Sequence, residues 1–179
     1  MKHRLAALLL ALTLPLAATP AAAKPAAAPL CLSLEDRAEI ADLMARYALY
    51  ADAGNGAAFA ATFTAEGQLI VRGQPVRGQS ALAAMIDGKT DRTLHLPSAP
   101  ALVKVAVDTV RARSQLVYMK DTAGAATGST PYVGFAVYED TIVHTPQGWK
   151  FAERRAAETQ PIAPELLPTA ASPICRERP

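Results

Sequence analysis

The hydrophobic and polar positions of this chain change their period near Gly67. Before that point, apolar side chains recur every three or four residues, which predicts an amphipathic helix. Ser33, with Asp36 three residues later, is typical of the start of such a helix. The buried stripe is predicted to consist of Ile40, Leu43, Met44, Tyr47 and Ala51.

A short second helix is predicted to follow, with Asn55 as its cap and with Phe59 and Phe63 both turned toward the core. The stretch GNGAAF has part of the glycine spacing of a dinucleotide-binding fingerprint. We reject that interpretation, because Phe59 stands where the third glycine belongs and the stretch follows a helix rather than a strand.

Beyond Gly67 the pattern alternates, as strands do. QLIVRG predicts a strand, followed by a turn around Gly73 to Pro75 and a short helix from Ser80 to Ile86. Further strands are predicted at RTLHLP, ALVKVAVDTV, ARSQLVYMK, YVGFAVYEDTIVHT and WKFAERRA. Three helices followed by hairpin-connected strands predict an α+β fold, in which one curved, mainly antiparallel sheet carries the helices on one face.

The N-terminus has the pattern of a secretory signal peptide. Lys2 and Arg4 precede an apolar run that ends in small residues, with cleavage predicted after Ala23, although other small-residue sites lie between 17 and 28. The run is too short and too interrupted by proline to span a membrane, and no second apolar run is long enough to do so. We therefore expect a secreted or periplasmic protein. Residues 24–33 are predicted to form an extended lead-in, residues 34–156 one domain, and residues 157–179 a Pro-rich tail.

The charge and residue inventory excludes several function classes. Loss of Lys2 and Arg4 with the leader would leave basic and acidic residues in balance, which argues against a nucleic-acid surface. Only His95 and His144 remain beyond the leader, and no spaced cysteine or carboxylate cluster supports a metal site. Neither a Gly-x-Ser-x-Gly elbow nor a phosphate loop occurs, so no cofactor is predicted.

Cys31 and Cys175 stand near the two ends of the predicted mature chain. Export would place both in an oxidising compartment, which favours a disulfide between them. Two unpaired thiols are the alternative. A lipid anchor at Cys31 is disfavoured by the bulky Leu30 before it.

Two side chains are candidates for acid–base chemistry. Asp52 lies at the end of the first helix beside a flank of small residues, which leaves room for a pocket, although an Asp before a Gly-Asn-Gly turn is also ordinary loop chemistry. In RTLHLP, the alternation turns Thr93 and His95 away from the leucines. A neutral imidazole beside a carboxylate suits general acid–base catalysis.

Other polar and aromatic positions are less specific. Tyr47, Tyr50 and Tyr118 could supply hydroxyl groups to a ligand, but aromatic residues at such spacing are also typical of a core. The remaining assignments are a solvated His144, a solvent-side pair formed by Tyr138 and Asp140, and core positions for Trp149 and Phe151.

The order of these pieces resembles the SnoaL-like branch of the nuclear-transport-factor-two-like superfamily from about Leu34 to Ala156. The resemblance lies in RYALYADAGN, AATFTAEGQLIV, RTLHL and YVGFAVYEDTIVHTPQGWKFAERR. It implies a cone-shaped α+β barrel around a pocket, commonly dimeric, with activities that include cyclases, dehydratases, isomerases and plain binding proteins. Scytalone-dehydratase-type members imply pocket roles for Asp52 and His95, but their second pocket histidine is replaced here in the neighbourhood of Tyr118.

Two functions follow as hypotheses. One is a cofactor-independent lyase, isomerase or cyclase acting on a small apolar carbonyl or hydroxyl compound, with His95 as base, Asp52 as its orienter and a tyrosine polarising oxygen. The other is a non-catalytic periplasmic binding or interaction module. In a working dyad the Asp52 charge is expected to raise the His95 pKa above about 6.5, whereas burial alone would lower it.

Overall fold

The computed structural model describes residues 30–121, 132–157 and 171–175. The predicted signal peptide lies outside the described residues, as do most of the lead-in and most of the Pro-rich tail. The boundaries given to these segments stay predictions.

The first helix, α1 (Leu34–Asp52), forms as its apolar pattern predicts. The Ser33 hydroxyl oxygen accepts a hydrogen bond from the Asp36 N–H at 2.9 Å, which caps the first turn. All five predicted stripe residues are buried, and Ala48 joins them. The last turn holds no basic residue of its own, so nothing within α1 offsets the negative end of the helix dipole.

The second helix, α2 (Gly56–Ala60), is shorter than the spacing of its two phenylalanines implies. Asn55 caps it by accepting from the Ala58 N–H at 3.0 Å, and the helix ends before Phe63, although both phenylalanine rings are buried as predicted. A Cβ at Gly56 would lie 2.3 Å from the Ala83 carbonyl oxygen. Gly56, the second glycine of GNG, therefore permits close packing of α2 on the third helix.

Within the described residues, the remaining elements are a third helix and seven strands. They are β1 (Phe63–Val71), β2 (Gln74–Arg77), α3 (Gln79–Asp87), β3 (Arg92–Pro97), β4 (Ala101–Ala106), β5 (Thr109–Asp121), β6 (Tyr132–Thr145) and β7 (Gly148–Ala157). The strands form one sheet in the order β2-β1-β7-β6-β5-β3, and β4 also pairs with β5. Only the described pair β1–β7 is parallel. The predicted α+β architecture, with a curved and mainly antiparallel sheet, is confirmed.

Three strand boundaries differ from the sequence prediction. β1 begins at Phe63 rather than near Gly67, and β2 occupies residues that were predicted to be a turn. The stretch ALVKVAVDTV is not one strand, because it reverses at Val107 and Asp108, where Val107 is 84% exposed. Antiparallel pairing of β4 with β5 requires this turn and outweighs the high strand propensity of valine.

A bulge decides which side chains of β7 reach the interior. Thr141 pairs with Glu153 and Ile142 pairs with Phe151, so β7 holds one extra residue at this point. Phe151 and Arg154 therefore both face the core, although strict alternation would place them on opposite faces. Trp149 and Phe151 are buried, as predicted.

The prediction that Tyr138 and Asp140 form a solvent-side pair is wrong. The two residues do share one face of β6, but that face is the inner one, and they are 2% and 3% exposed. Ile142, two residues further on, is fully buried on the same face. Continuation of the alternation to this apolar residue was the signal that the sequence analysis missed.

The disulfide between Cys31 and Cys175 is present, with their Cα atoms 4.9 Å apart. It joins the start of the described chain to residues 171–175. The Leu32 N–H donates to the Pro173 carbonyl at 2.9 Å, and the Lys104 N–H of β4 donates to the Ser172 hydroxyl oxygen at 2.7 Å. Residues 30–32 and 171–175 are thus held together, and Ser172 fastens them to β4.

Candidate functional site

Asp52, the last residue of α1, is not a free surface carboxylate. Its side chain is 16% exposed and accepts three hydrogen bonds from β3. The donors are the Thr93 hydroxyl at 2.9 Å, the His95 backbone N–H at 2.8 Å and the His95 ring nitrogen Nδ1 at 2.5 Å. One carboxylate therefore joins the C-terminal end of a helix to the inner face of the sheet.

The alternation of β3 places His95 at this site. Leu94 and Leu96 point outward and are 44% and 51% exposed, whereas Thr93 and His95 turn inward and are partly buried. The His95 side chain is 12% exposed. Alternation along β3 predicts this orientation of His95, whereas the distance to Asp52 depends on how β3 meets the end of α1.

The contact with Asp52 selects one form of the imidazole. An ionised carboxylate is an acceptor only, so the nitrogen that meets it, Nδ1, carries the proton. In the neutral ring this leaves the lone pair on Nε2, at the opposite side of the imidazole. His95 is thus arranged to accept a proton at Nε2 while Asp52 holds the ring in place.

The expected rise of the His95 pKa is not found. Burial lowers the pKa of His95 and outweighs the hydrogen bond and charge of Asp52, which act in the opposite direction. Lys89 and Arg154, two nearby cations, add to the lowering. His95 is therefore held toward its neutral, basic form.

The three predicted ligand-contacting tyrosines lie in different surroundings. Tyr118 is the direct strand partner of His95, with ring centroids 5.0 Å apart, and burial raises the pKa of its hydroxyl, which keeps it a hydrogen-bond donor. Tyr50 is partly buried against the core. Tyr47 is buried among Phe59, Phe63, Phe151 and Tyr138. Their roles as ligand contacts stay predictions.

Two side chains at the site escaped the sequence analysis as functional candidates. Thr93 donates to Asp52 and accepts from the Lys89 ammonium group at 2.8 Å, and Lys89 also donates to the Ala51 carbonyl at 3.1 Å. The alternation that turns His95 inward also turns Thr93 inward, so the sequence pattern could have placed Thr93 at the site. Lys89 lies in the loop between α3 and β3, where no pattern in the sequence predicts its position.

A buried ion pair between Asp140 and Arg154 lies in the core. Arg154 donates to Asp140 twice, from Nε at 2.8 Å and from Nη2 at 2.7 Å. Its guanidinium carbon also lies 4.1–4.2 Å from the ring centroids of Tyr47, Tyr138 and Phe151. The pair is enclosed and its donors and acceptors are satisfied, which is typical of a structural ion pair rather than a reacting group.

Three further predictions concern His144, metal binding and membrane-spanning helices. His144 is exposed, as predicted, although its ring contacts Trp149. Among residues 30–121, 132–157 and 171–175, no three metal-binding side chains cluster. No helix in that part of the chain is long and apolar enough to cross a bilayer.

Comparison with known proteins identifies the family. The model of the SnoaL-like domain matches residues 32–155, and the chain belongs to this family. No curated protein matches the chain. Solved structures, in contrast, share its fold widely.

Three solved structures illustrate the likeness. A nuclear-transport-factor-two-like protein from Novosphingobium aromaticivorans is 30% identical, with a TM-score of 0.63 over 73% of this chain and 86% of that one. A candidate scytalone dehydratase from the same organism is 21% identical, with a TM-score of 0.63 over 81% of this chain and 97% of that one. A protein from Catenulispora acidiphila in complex with S-DNPA is 20% identical, with a TM-score of 0.56 over 66% and 91%.

Proposed function

We propose that this protein is a cofactor-independent acid–base enzyme, a lyase, isomerase or cyclase, that acts on a small apolar carbonyl or hydroxyl compound. His95 is the base, Asp52 orients it, and the Tyr118 hydroxyl polarises an oxygen of the substrate. One observation carries the proposal: Asp52 bonds both the backbone N–H and Nδ1 of His95. This double contact fixes the position and the protonated nitrogen of the ring.

The surroundings of His95 suit a base better than an acid. Burial and two neighbouring cations favour the neutral ring, which can take a proton at Nε2. Tyr118 faces it from the adjacent strand and keeps its own proton. The inner face of β6 next to Tyr118 carries the small residues Gly134 and Ala136, and the Tyr132 ring packs against Gly134. A family that includes dehydratases and cyclases supports the same class of reaction.

Proton abstraction beside a carbonyl is the elementary step that these reactions share, and it can be tested without the natural substrate. A panel of small cyclic ketones would be screened for binding through the His95 resonances. Each ligand would then be incubated in D₂O, and loss of its α-protons followed by NMR. Asp52→Asn is expected to slow exchange by about ten- to a thousandfold, and His95→Gln to abolish the catalysed part.

The second candidate is a binding module that kept the fold without the chemistry. It is favoured by Tyr118, which occupies the neighbourhood where dehydratase-type relatives are expected to carry a second histidine. Ligands that shift the His95 resonance but exchange no protons above the rate in buffer would select this function and reject the enzyme.

We also propose a homodimer that forms through the outer face of the sheet. Register partners on antiparallel strands share a face, so three strands build one outward apolar patch. It consists of Leu94, Leu96, Val117, Met119, Val133 and Phe135. Leu94, Leu96, Val133 and Phe135 are each 44–55% exposed. The neighbouring Arg113–Glu139 ion pair offers both signs of charge, which suits contact with a second copy of the same surface.

The dimer is tested by light scattering coupled to size-exclusion chromatography. Phe135→Asp is expected to give a monomer, because the dimer would bury a charge within the patch. Val107→Asp, in the turn that precedes β5, introduces the same charge outside the patch and is expected to leave the dimer intact. A monomeric wild-type protein would contradict this proposal.

Export through a cleaved leader completes the proposal. The basic and apolar pattern of residues 1–23 supports it, as does the Cys31–Cys175 disulfide, which suits an oxidising compartment. Mass spectrometry of the protein from its own host is expected to find an N-terminus close to residue 24. Intact Met1 on protein from the cytoplasm would contradict export.

A further inference from the structure

Lys89 connects three elements at the candidate site. It lies two residues beyond the end of α3, and its ammonium group donates to the Ala51 carbonyl at 3.1 Å and to the Thr93 hydroxyl oxygen at 2.8 Å. Ala51 is the neighbour of Asp52 in the last turn of α1. The cation is thus held beside the carboxylate by groups on either side of it.

The direction of these hydrogen bonds is fixed by chemistry. An ammonium group has no lone pair, so Lys89 is the donor and Thr93 the acceptor. The hydroxyl of Thr93 then directs its own proton to Asp52 Oδ1, at 2.9 Å. A continuous chain of donors runs from Lys89 through Thr93 to Asp52, which already receives two hydrogen bonds from His95.

We propose that Lys89 and Thr93 are positioning residues of this site: they orient and partly neutralise the Asp52 carboxylate, so that His95 meets its ligand as a neutral base rather than as an imidazolium ion. This inference rests on the proposed role of His95. A carboxylate that faced His95 alone would favour the charged ring. With Lys89 nearby, the ammonium group offsets part of the negative charge of Asp52, and the carboxylate favours the charged ring less.

The charged groups around His95 agree with this arrangement. Asp52 on α1 favours its protonation, whereas burial, Lys89 and Arg154 on β7 oppose it and lower its pKa. Around Lys89, burial lowers the pKa of the ammonium group, and Asp52 and Asp91 act against this effect. Lys120, near the end of β5, is a further cation that lowers the pKa of Lys89, and it bonds Asp91 at 2.6 Å.

A purely structural role for Lys89 predicts something different. A cation at the C-terminal end of α1 satisfies a free carbonyl group and offsets the helix dipole, which would contribute stability alone. Removal of such a cap would lower the free energy of unfolding and leave the titration of His95 unchanged. The two roles are therefore separated by the His95 pKa.

The experiment is an NMR titration of the His95 ring in the full chain, without ligand. Lys89→Met removes the charge and keeps most of the aliphatic stem, and it is expected to raise the His95 pKa by about half a pH unit or more. Lys89→Arg keeps the charge, and the His95 pKa in this variant is expected to equal that of the wild type. Lys120→Met is the matched control, because it removes a lysine charge from the same neighbourhood but from a residue bonded to Asp91.

Lys89→Gln keeps an N–H donor for the Ala51 carbonyl without the charge, and it replaces Lys89→Met if that variant does not fold. A raised His95 pKa in either uncharged variant, with no change in Lys120→Met, supports the proposal. An unchanged pKa in the uncharged variants overturns it. Because no substrate is used, a shifted pKa without proton exchange would reject the enzyme and keep the positioning role.

Discussion

Asp140 and Asp52 each meet a nitrogen partner on the inner side of the sheet, and the two pairs differ in how far they are enclosed. The side chains of Asp140 and Arg154 are 0% and 1% exposed and share two hydrogen bonds, and aromatic rings surround the guanidinium group. Asp52 and His95 are 16% and 12% exposed, and their further partners are a hydroxyl and, through it, an ammonium group.

The difference shows what separates a structural pair from a reactive one. Arginine does not lose its proton in proteins, so the Asp140–Arg154 pair is fixed in one charge state. Histidine changes its charge near neutral pH, and the partial exposure of His95 allows a ligand to approach it. The first pair therefore should contribute to stability and the second to chemistry.

Loss of Asp140 should give the largest effect. Asp140→Ala leaves the guanidinium group buried without its partner, and we expect a loss of about 3–5 kcal/mol in the free energy of unfolding. The matched control is Glu139→Ala, one residue away, because Glu139 pairs with Arg113 nearer the surface and should contribute less than about 1 kcal/mol. Urea denaturation measures both. Equal losses in the two variants would show that enclosure does not distinguish these pairs.

Removal of the disulfide should lower stability without reaching the reactive pair. The bond closes a loop with a sequence separation of 144 residues. In the double variant Cys31→Ser with Cys175→Ser, the free energy of unfolding is expected to fall by about 2–4 kcal/mol, because the unfolded chain regains the conformational freedom that the closed loop had removed. The His95 pKa, measured by NMR on the same sample, should not change. A shifted pKa would mean that the site depends on general stability.

Asp52→Asn tests the reactive pair directly. The amide keeps the shape of the carboxylate and removes its charge, so the pKa of His95, already lowered, should fall further by roughly one pH unit or more. Asp42→Asn makes the same change on the same helix, at an exposed residue paired with Arg46, and NMR titration should find His95 unaffected by it. A His95 pKa that does not respond to Asp52→Asn would return Asp52 to a capping role.

The smallest expected effect is on the pH dependence of stability. The His95 pKa is lower in the folded chain than in the unfolded chain, so below about pH 6.5 the unfolded chain binds more protons. The free energy of unfolding should therefore fall from that pH down to the folded-state pKa and be unaffected by His95 above it. Denaturation curves between pH 8 and 5 should be less pH-dependent in His95→Gln than in the wild type. An unaltered slope in His95→Gln would contradict the assignment.

Much of the fold could be predicted from local pattern. Helix α1 follows from the spacing of Ile40 and Tyr47 and from the cap at Ser33, because both are properties of neighbouring residues. The orientation of His95 follows from alternation within β3. What failed involved the choice of partners: the pairing of β4 with β5, which requires the turn at Val107, and the pairing of Asp140 with Arg154, which lets a carboxylate occupy the inner face of β6.

The sequence by itself determined the fold class, the family resemblance and the two residues proposed for the chemistry, since these depend on periodicity and on residue type. Only the tertiary structure decided their surroundings. An extra residue in β7 turned Arg154 toward Asp140, and a loop after α3 brought Lys89 to the end of α1. The pKa of His95 depends on burial and on charges from α1, from the loop after α3 and from β7, and no local pattern specifies how these three parts of the chain meet.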